Sequence, residues 1–299
     1  MARQILTIGF FDGVHIGHKS LISSMLDYAK ENSLQSLVIT FDNGPERKVK
    51  QLIFTLEKRV KIIKSLGTCK VEVLSFNRIK NLRSKEFFEK FLLVYDPVAI
   101  FVGEDFRFGY KREGDIHLLK KLCIRSSIAL FVMEDINFNV DGRMVRVSSS
   151  LIRKLISKGD VKVVEKLLGR EYFIEGKVVK GIGLGKKIGF PTINLLPSKE
   201  LVLPRGIFVG ECFINSEKFY GVADIGTIPT VKKLDRFLCE IHLLSTNFST
   251  DIKDVLFRPL VKVRDEKKFN DINILKKQIL QDVKIAAKII KNFGGKYAS

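Results

Sequence analysis

The sequence predicts two architectures in succession: an α/β domain with a parallel sheet, and then a β-rich domain that ends in a long helix. In the first half, short β-rich runs alternate with runs of helical periodicity, which is typical of a parallel sheet with helices on both faces. From Tyr172 onward, strand-like segments separated by turn residues indicate an antiparallel barrel or sandwich. The 299 residues suffice for two domains of ordinary size, and we place their boundary near Gly169, giving domains 1–169 and 170–299.

The elements of the first half follow from hydrophobic periodicity. Strands are predicted at 5–11, 37–41, 71–76, 98–103 and 128–134. Helices are predicted at 18–31, 55–67, 84–95 and around 115–125. We expect Thr55 to cap the second helix, Gly67 to end it, and the third helix to stop near Asp96-Pro97.

The second half begins after about residue 135. A hairpin is predicted over 136–147 with its turn at Asp141-Gly142, and short helices at 149–159 and 161–169 are each closed by a glycine. The predicted strands of the barrel or sandwich cover 173–180, 206–214, 218–225, 237–244 and 255–263. The last amphipathic run, roughly 271–292, predicts a helix whose inward face comprises Ile274, Ile279, Val283, Ala286, Ala287 and Ile290.

The composition is globular, with 45% hydrophobic and 28% charged residues, and it excludes a disordered chain. The net charge of +19 would attract any polyanion, but the basic residues are spread along the chain, which favours an ordinary solvated surface. No apolar run approaches the ~20 residues of a membrane-spanning helix, and we expect no secretion signal. The four cysteines are far apart, which argues against a zinc ribbon or disulfide scaffold and favours a reducing cytoplasm.

The first candidate site is the run GFFDGVHIGH at 9–18, which joins the first strand to the first helix. A glycine-rich turn brings backbone close to a ligand, and the helix N-terminus beyond it favours anions. His15 and His18 would meet around one phosphate and stabilise its charge in a transition state; the ordinary alternative is two polar residues in a helix-start loop. Zinc ligation would need a third ligand, and none lies nearby in sequence. The other candidate phosphate-binding residues of this run are Gly9, Phe10, Phe11, Asp12, Gly13 and Gly17.

Two further segments carry candidate ligand-binding residues. The run 102–109 ends the fourth strand, where open α/β sheets bind ligands, and its candidates are Asp105, Phe106, Arg107 and Gly109. Arg107 would face a phosphate and the phenylalanines a flat ring, although core aromatics with a solvated arginine give the same pattern. The run Ser148, Ser149 and Ser150 opens a helix that also carries Arg153, and its hydroxyls either cap the helix or bind phosphate.

In the second half, GIGLGKKIGFPTIN at 181–194 is neither a Walker A loop nor a dinucleotide fingerprint followed by a helix. A glycine-rich hairpin loop is the ordinary alternative. Thr192 and Asn194 alternate onto one side of an extended segment and offer two oxygens to a magnesium ion that bridges phosphates. The candidate nucleotide-binding residues are Gly181, Gly183, Gly185, Lys186, Gly189, Phe190 and Pro191. Glu240 lies on a strand among apolar neighbours, where a solvent-facing glutamate is the usual interpretation.

These motifs, in this order and over nearly the whole chain, resemble the bacterial bifunctional riboflavin kinase/FAD synthetase family. The H-x-G-H run is similar to the phosphate site of the nucleotidyltransferase superfamily, and 103–109 and 148–153 resemble the family's G-x-D-F-R-F-G and S-S-[ST]-x-I-R motifs. G-F-P-T-x-N at 189–194 and the strand around Glu240 resemble the kinase half. The resemblance implies a Rossmann-like nucleotidyltransferase domain followed by a riboflavin kinase-like barrel.

The same resemblance implies roles for individual residues. His15 and His18 would hold the triphosphate of ATP, and Arg153 would stabilise the leaving pyrophosphate. In the kinase half, the glycines would cover ATP phosphates and Mg2+ would bind Thr192 and Asn194. Glu240 would be the catalytic base, and the segment beginning at Arg264 would face the flavin.

The chain departs from the family pattern at three places. Asn43-Gly44-Pro45 replaces a P-H-P segment, Ile228 stands where I-G-x-R-P-T has arginine, and the loop after Leu244 differs. We expect these departures to affect kinase kinetics and flavin affinity more than the activity itself.

The function implied is ATP-dependent phosphorylation of riboflavin to FMN, followed by adenylylation of FMN to FAD and pyrophosphate. Because the FMN phosphate is itself a nucleophile, the second step needs only positioning and charge stabilisation. Two alternatives stay open: a chain with one surviving activity, and a basic nucleic-acid-binding protein on a degenerate nucleotide fold. For the enzyme we expect a cytoplasmic location, small-molecule partners, no obligate nucleic acid and no membrane; transient self-association is compatible with the sequence, which leaves the oligomeric state open.

Overall fold

The computed structural model describes residues 3–42, 51–228, 236–245, 252 and 254–292. The chain divides into two compact units, Met1–Ser149 and Ser150–Ser299. The helices that follow Ser149 are therefore grouped with the second unit. The functional boundary near Gly169 stays a prediction.

The first unit is built on a five-stranded sheet with the order β3-β2-β1-β4-β5. All strand pairs in it are parallel, which confirms the predicted sheet. The strands are β1 (Gln4–Ile8), β2 (Gln35–Phe41), β3 (Lys70–Leu74), β4 (Pro97–Gly103) and β5 (Ala129–Met133). The strand order reverses between β1 and β4, so the crevice beyond their carboxyl ends is the expected ligand position in a sheet of this kind.

Within the described residues, short and medium α-helices connect these strands. They are α1 (Ile16–Glu31), α2 (Leu56–Ser65), α3 (Phe76–Ile79), α4 (Ser84–Phe87) and α5 (Ile116–Arg125). Thr55 caps α2 as predicted, because its side chain accepts a hydrogen bond from the Lys58 amide. The sheet core is formed mainly by buried aliphatic residues of β1, β2 and β4, including Leu6, Ile8, Leu37, Ile39, Ile100 and Val102.

The helix predicted over 84–95 is not continuous. After α4 the chain widens into a π-helical turn at Phe88–Leu92 and then tightens into a 3-10 turn at Leu93–Tyr95. The irregular winding buries Phe87, Phe88 and Leu92 together in the core. Asp96 then adopts a left-handed conformation with φ 46° and ends the helix at the predicted place.

A separate hairpin closes the first unit. It consists of β6 (Asn137–Val140) and β7 (Arg143–Arg146), and it turns at Asp141 and Gly142, whose φ values are 49° and 82°. Two successive positive φ values are those of a type I′ turn, so the predicted hairpin is confirmed.

The second unit is a closed barrel with the strand order β10-β11-β12-β9-β8-β13, which decides the predicted choice between barrel and sandwich. Its strands are β8 (Ile174–Val179), β9 (Ile193–Pro197), β10 (Gly206–Ile214), β11 (Glu217–Ile228), β12 (Arg236–Leu243) and β13 (Val255–Arg264). Its helices are α6 (Ser149–Lys158), α7 (Val161–Leu168), α8 (Leu184–Ile188) and α9 (Ile272–Asn292). The sequence predicted β9 only as an extended segment, and it did not predict α8.

Helix α9 packs on β10 and β11 through Ala286 and Ile290, which contact a cluster with Ile207, Val209 and Val222. The predicted inward face was wrong at Ile274, which is 57% exposed, because the packed face begins only in the later turns of the helix. Asp282 takes a buried position on that face instead, where it binds Arg264. Among the helices of the described residues, none is long and apolar enough to cross a membrane.

Candidate active sites

The loop after β1 has an unusual backbone. Phe11, Gly13 and Val14 have φ values of 51°, 78° and 40°, around a 3-10 turn at Asp12–Val14. A Cβ atom at Gly13 would lie 2.8 Å from Cδ1 of Ile53, so both the conformation and the space require glycine there. Left-handed non-glycine residues cost free energy and are concentrated at functional sites, which marks this loop as one.

The two predicted histidines meet in this loop. Their rings stack with centroids 3.6 Å apart and an interplanar angle of 18°. His15 caps α1, because its Nδ1 accepts a hydrogen bond from the His18 amide at 3.4 Å. If Nδ1 accepts, the ring proton is on Nε2, and an N–H donor at the start of α1 suits an anionic ligand.

Buried polar contacts hold this loop in place. Asp12 is 2% exposed, and its Oδ1 accepts a hydrogen bond from the Ile53 amide at 3.0 Å. The hydroxyl of Ser149 donates to the Asp12 carbonyl oxygen at 2.8 Å. The predicted phosphate contacts of Asp12 and Ser149 stay predictions; in the structure both residues support the loop.

Arg59 is a residue of this site that the sequence did not single out. It is fully buried on α2, and it donates hydrogen bonds to the carbonyl oxygens of Phe10 and Phe41. Its guanidinium carbon lies 4.2 Å from the centroid of the Phe10 ring. Nothing in the charged run of α2 distinguishes this arginine from its solvated neighbours, so sequence reasoning had no signal for it.

The segment after β4 is tied to the hairpin. The Asp105 carboxylate forms an ion pair with Arg146 at 2.7 Å, and Arg146 also contacts Asp135. Phe106 and Phe108 stack with centroids 5.6 Å apart, and Phe108 is buried. Phe108 is therefore part of the hydrophobic core and does not belong to an exposed ligand-binding surface.

The serine run begins α6, as predicted. Ser148 and Ser149 belong to the first unit, whereas Ser150 and Arg153 are grouped with the second. A hydrogen bond of 3.1 Å joins the Arg153 guanidinium to the Ser150 hydroxyl.

The glycine-rich loop of the second unit encloses the short helix α8. Gly183 and Gly189 flank it with left-handed φ values of 77° and 93°. Gly181 lies against Asn194: a Cβ atom there would be 2.4 Å from Asn194 Nδ2. After the loop, the Pro191 carbonyl oxygen lies 2.9 Å from Nδ1 of His242.

Asn194, Glu240 and Asp224 form a row across three neighbouring strands. Strand register pairs Asn194 of β9 with Glu240 of β12, and Glu240 with Asp224 of β11. The flanking residues of each strand are buried, so the row lies on the outer face of the barrel wall. These flanking residues are Ile193, Leu195, Ala223, Ile225, Cys239 and Ile241. We refer to Asn194, Glu240 and Asp224 below as the polar row.

The polar row is electrostatically unbalanced. Burial raises the pKa of Glu240. Burial, followed by the nearby charges of Glu266 and Glu240, raises the pKa of Asp224 to about 7. Asn194 is 7% exposed, and its Oδ1 accepts no hydrogen bond from the described residues. The sequence predicted Asn194 and Glu240 but missed Asp224, because strand register is needed to bring it beside them.

Arg264, predicted on the flavin side, is held by a carboxylate. Its Nε and Nη2 donate to Asp282 at 3.0 and 2.7 Å, and its Nη1 donates to the Asp265 carbonyl oxygen. The Phe269 ring lies 6.0 Å away. Of the departures noted in the sequence, Asn43-Gly44-Pro45 and the part of the loop after Leu244 that begins at Thr246 lie outside the described residues.

Two family models match the chain, one in each half. The FAD synthetase model matches residues 1–151, and the riboflavin kinase model matches residues 168–290. The first match covers the parallel-sheet unit and the second covers the barrel, in the order that the sequence predicted.

Curated relatives match over nearly their full length, and their printed name is bifunctional riboflavin kinase/FMN adenylyltransferase. The protein of Buchnera aphidicola subsp. Schizaphis graminum is 31% identical, over 96% of this chain and 94% of its own. The Bacillus subtilis protein is 30% identical, over 97% and 94%. The Escherichia coli K12 protein is 32% identical, over 93% and 90%.

A solved structure described as a macrolide-efflux protein from Streptococcus pneumoniae has the same fold. It superposes with a TM-score of 0.81 at 25% identity, over 96% of this chain and 94% of that one.

Proposed function

The chain belongs to the family of bifunctional riboflavin kinases/FMN adenylyltransferases, and from that premise we propose which of its residues perform each reaction. It phosphorylates riboflavin with ATP to give FMN, and it adenylylates FMN with a second ATP to give FAD and pyrophosphate. The observation that carries the assignment of residues is the pair of candidate sites, one in each matched half. One site offers hydrogen-bond donors to an anion, and the other offers a carboxylate to a hydroxyl.

In the adenylylation step, the loop 9–18 binds the triphosphate of ATP. The stacked rings of His15 and His18 at the start of α1 supply donors where negative charge develops on the α-phosphate. The FMN phosphate attacks that phosphorus directly, so positioning and charge stabilisation suffice. The segment around Asp105, Phe106, Arg107 and Gly109 receives the flavin nucleotide, and Arg153 stabilises the leaving pyrophosphate.

In the kinase step, Glu240 is the catalytic base. It accepts the proton of the terminal ribityl hydroxyl as that oxygen attacks the γ-phosphorus of ATP. Its raised pKa makes it a better proton acceptor than an ordinary glutamate, and its side chain is exposed, so a substrate can reach it. The loop from Gly181 to Pro191 covers the phosphates, with Lys186 among them, and Arg264 lies on the flavin side.

The polar row also fits a magnesium ion. Asn194 Oδ1 is a buried oxygen without a hydrogen bond from the described residues, and Thr192 lies two residues before it, just ahead of β9, where extended alternation favours the same side. Oxygen ligands of this kind, together with ATP phosphates, are those that Mg2+ prefers. The ion, when bound, neutralises phosphate charge; Asn194 and Thr192 would hold it.

The two activities reside in separable parts of the chain, with residues 1–169 carrying adenylylation and 170–299 carrying the kinase. In sequence, the helices α6 and α7 cover most of the segment between the two matched regions, and Glu165 of α7 makes a two-point ion pair with Arg258 of the barrel. We expect fragment 170–299 to phosphorylate riboflavin without making FAD, and fragment 150–299 to do so with higher thermal stability. A folded 170–299 fragment that binds neither flavin nor ATP would contradict this division.

The direct test is incubation of the full chain with riboflavin and MgATP, followed by chromatographic separation of the flavins. FMN should appear first and FAD should follow. Accumulation of FMN alone would leave only the kinase, in line with the alternative of one surviving activity. Neither product, together with nucleic-acid binding that weakens steeply as salt rises, would favour the nucleic-acid alternative.

The protein works in the cytoplasm on small molecules, without an obligate nucleic acid. The four cysteines are free thiols, and burial raises the pKa of Cys123 to about 11, so this thiol stays protonated and unreactive. Flavin and ATP binding that is insensitive to salt is expected.

A further inference from the structure

We propose that Asp224 binds the polyol chain of the phosphoryl acceptor, accepting a hydrogen bond from a hydroxyl next to the one that Glu240 deprotonates. The inference deepens the proposed kinase function and rests on it. It concerns a residue that none of the sequence motifs contains.

The first argument is the order of groups along the barrel wall. Register partners run from Asn194 through Glu240, Asp224 and Ile207 to Arg264. The row therefore passes from the proposed magnesium ligand to the base, then to Asp224, and ends at the flavin-side arginine. A flavin presented for phosphorylation has the same order: terminal hydroxyl, remaining side-chain hydroxyls, ring. Asp224 stands where the remaining hydroxyls must lie.

The second argument is that Asp224 has nothing to bind within the part of the chain that the structure describes. Neither Asp224 nor Glu240 makes a side-chain hydrogen bond or ion pair there. The nearby cation, Arg264, is bound at two points by Asp282. The other charged groups that act on Asp224 are Glu266, Glu240 and Asp282, all of the same sign as Asp224. These like charges disfavour the ionised form of Asp224, so a ligand that supplies hydrogen-bond donors would compensate for that cost.

The third argument is that the row lacks partners at its other end as well. Asn194 is buried to more than nine tenths, and its Oδ1 accepts no hydrogen bond from the described residues. Both ends of one row of polar side chains are therefore prepared for contacts that the described residues do not supply. This is the expected condition of a site that closes on a ligand lying along the row.

The spacing identifies the ligand as a polyol. Neighbouring strands are about 4.7–4.9 Å apart, so the carboxylates of Glu240 and Asp224 sit about one strand spacing from each other. A carboxylate accepts hydrogen bonds and donates none, so the ligand must bring donors at that interval. A chain with a hydroxyl on each carbon does so, and one such chain spans both carboxylates.

The test compares two acceptors, riboflavin and its 10-(5-hydroxypentyl) analogue, which keeps only the terminal hydroxyl. For the full chain at saturating MgATP, kcat/KM is measured with each acceptor for the parent protein, Asp224→Ala and Asp224→Asn. Asp224→Ala should lower kcat/KM for riboflavin by about 10- to 100-fold, the effect of one lost hydrogen bond to a charged group. It should leave the analogue nearly unchanged. Asp224→Asn keeps an acceptor oxygen and should retain most of the preference for riboflavin.

Equal losses with both acceptors would overturn the proposal, because a residue that acts through the fold or through Glu240 cannot distinguish them. An equal rise in the Mg2+ concentration needed for half-maximal rate with both acceptors would also overturn it and would make Asp224 a cation ligand. Asp224→Val, suited to a strand, replaces the alanine variant should that one fail to fold. Glu217→Ala, an exposed carboxylate at the start of β11, is the matched control and should change neither acceptor's kinetics.

Binding separates this inference from the kinase assignment. Quenching of flavin fluorescence measures the affinity for riboflavin and for the analogue without turnover. A parent chain that phosphorylates neither acceptor contradicts the kinase function. The polyol contact then stands if the parent binds riboflavin more tightly than the analogue and Asp224→Ala abolishes that preference, and it falls otherwise.

Discussion

The phosphate loop of the first unit and the polar row of the second hold their reactive groups in opposite ways. In the loop, the cost lies in the backbone: Phe11 and Val14 adopt left-handed conformations, while Asp12 is buried with a hydrogen-bond partner. In the row, the strands have ordinary extended pairing, and the cost lies in side chains, since Glu240 and Asp224 are carboxylates of raised pKa without partners in the described part.

The difference teaches what each site demands of a substitution. The loop needs its glycines and anchors before any histidine can be oriented, so variants there affect local structure and function together. The row sits on a wall fixed by barrel hydrogen bonds, so its side chains are exchangeable without rebuilding the fold. Variants of the row should lose function while keeping or gaining stability.

The largest expected effect is on the row, from Glu240→Gln. The amide keeps the shape and loses the base, so riboflavin phosphorylation should slow by ~10²–10⁴-fold. FAD formation from supplied FMN should be unchanged, because that reaction uses the other matched half. The assay is initial rate at saturating MgATP with each flavin.

Glu217→Gln serves as the control, because it removes an exposed carboxylate at the far end of β11, away from the polar row, and it should leave both rates intact. Near-normal phosphorylation by Glu240→Gln would show that the base lies elsewhere.

The corresponding change in the loop is His18→Ala. Removing a donor that stabilises transition-state charge costs roughly 2–4 kcal/mol, so FAD formation from FMN should fall about 10²–10³-fold. FMN formation from riboflavin should survive. The two rates are measured separately by chromatography on the full chain.

His117→Ala on α5 is the matched control, since that histidine is exposed and lies outside the loop. A parallel fall of both activities in a folded His18→Ala protein would contradict the assignment of the histidines to one reaction.

A smaller effect is expected from a substitution that tests Asn194 as a magnesium ligand. In Gly181→Ala the new Cβ atom would lie 2.4 Å from Asn194 Nδ2 and push that side chain aside. Misorienting a magnesium ligand typically weakens metal binding by at least about 10-fold. We expect about that increase in the Mg2+ concentration for half-maximal riboflavin phosphorylation, with the maximal rate largely recovered at high Mg2+.

Asn194→Ala should reproduce this shift. An unchanged Mg2+ requirement in both variants would remove Asn194 from the metal site.

The same contrast explains what the sequence predicted. The loop residues are contiguous, so the pattern strand, H-x-G-H, helix sufficed to predict that His15 and His18 meet, and the stacked rings confirm it. Periodicity likewise predicted the parallel sheet and the hairpin at Asp141-Gly142. Contiguity fails for the row, because Asn194, Asp224 and Glu240 become neighbours only through strand register.

The sequence also could not predict which charged side chains are buried by partners far away in the chain. Arg59 and Asp282 are buried charges, and a helical pattern assigns charged residues to the solvated face. Their burial depends on partners elsewhere in the chain, the Phe10 and Phe41 carbonyls for Arg59 and the Arg264 guanidinium for Asp282. Ile274 is exposed although it lies on the apolar face of α9. The apolar pattern of the helix does not show which of its turns contact the barrel.

The smallest expected effect is on thermal stability, and it shows whether the Asp224 carboxylate is unpaired or paired in the folded protein. The pKa of Asp224 is raised from 3.8 in its ordinary state to about 7 in the fold. A carboxyl with a raised folded pKa favours the folded state fully below pH ~4, and its contribution is lost as the pH rises through 7. Asp224→Asn removes this dependence, so the melting temperature of the variant minus that of the parent should be smallest at pH 4. The difference should rise between pH 4 and 7 and stay level above pH 7.

Because Asp224 reaches solvent, we expect a rise in this melting-temperature difference of only a few degrees at most, about 2–4 °C per kcal/mol for a domain of this size. Scanning calorimetry at pH 4, 6, 7 and 8.5, with Glu217→Gln as the control, measures it. A difference that falls with pH would mean that the Asp224 carboxylate is paired in the folded protein, and both the imbalance of the row and its readiness for a hydroxyl would then be wrong.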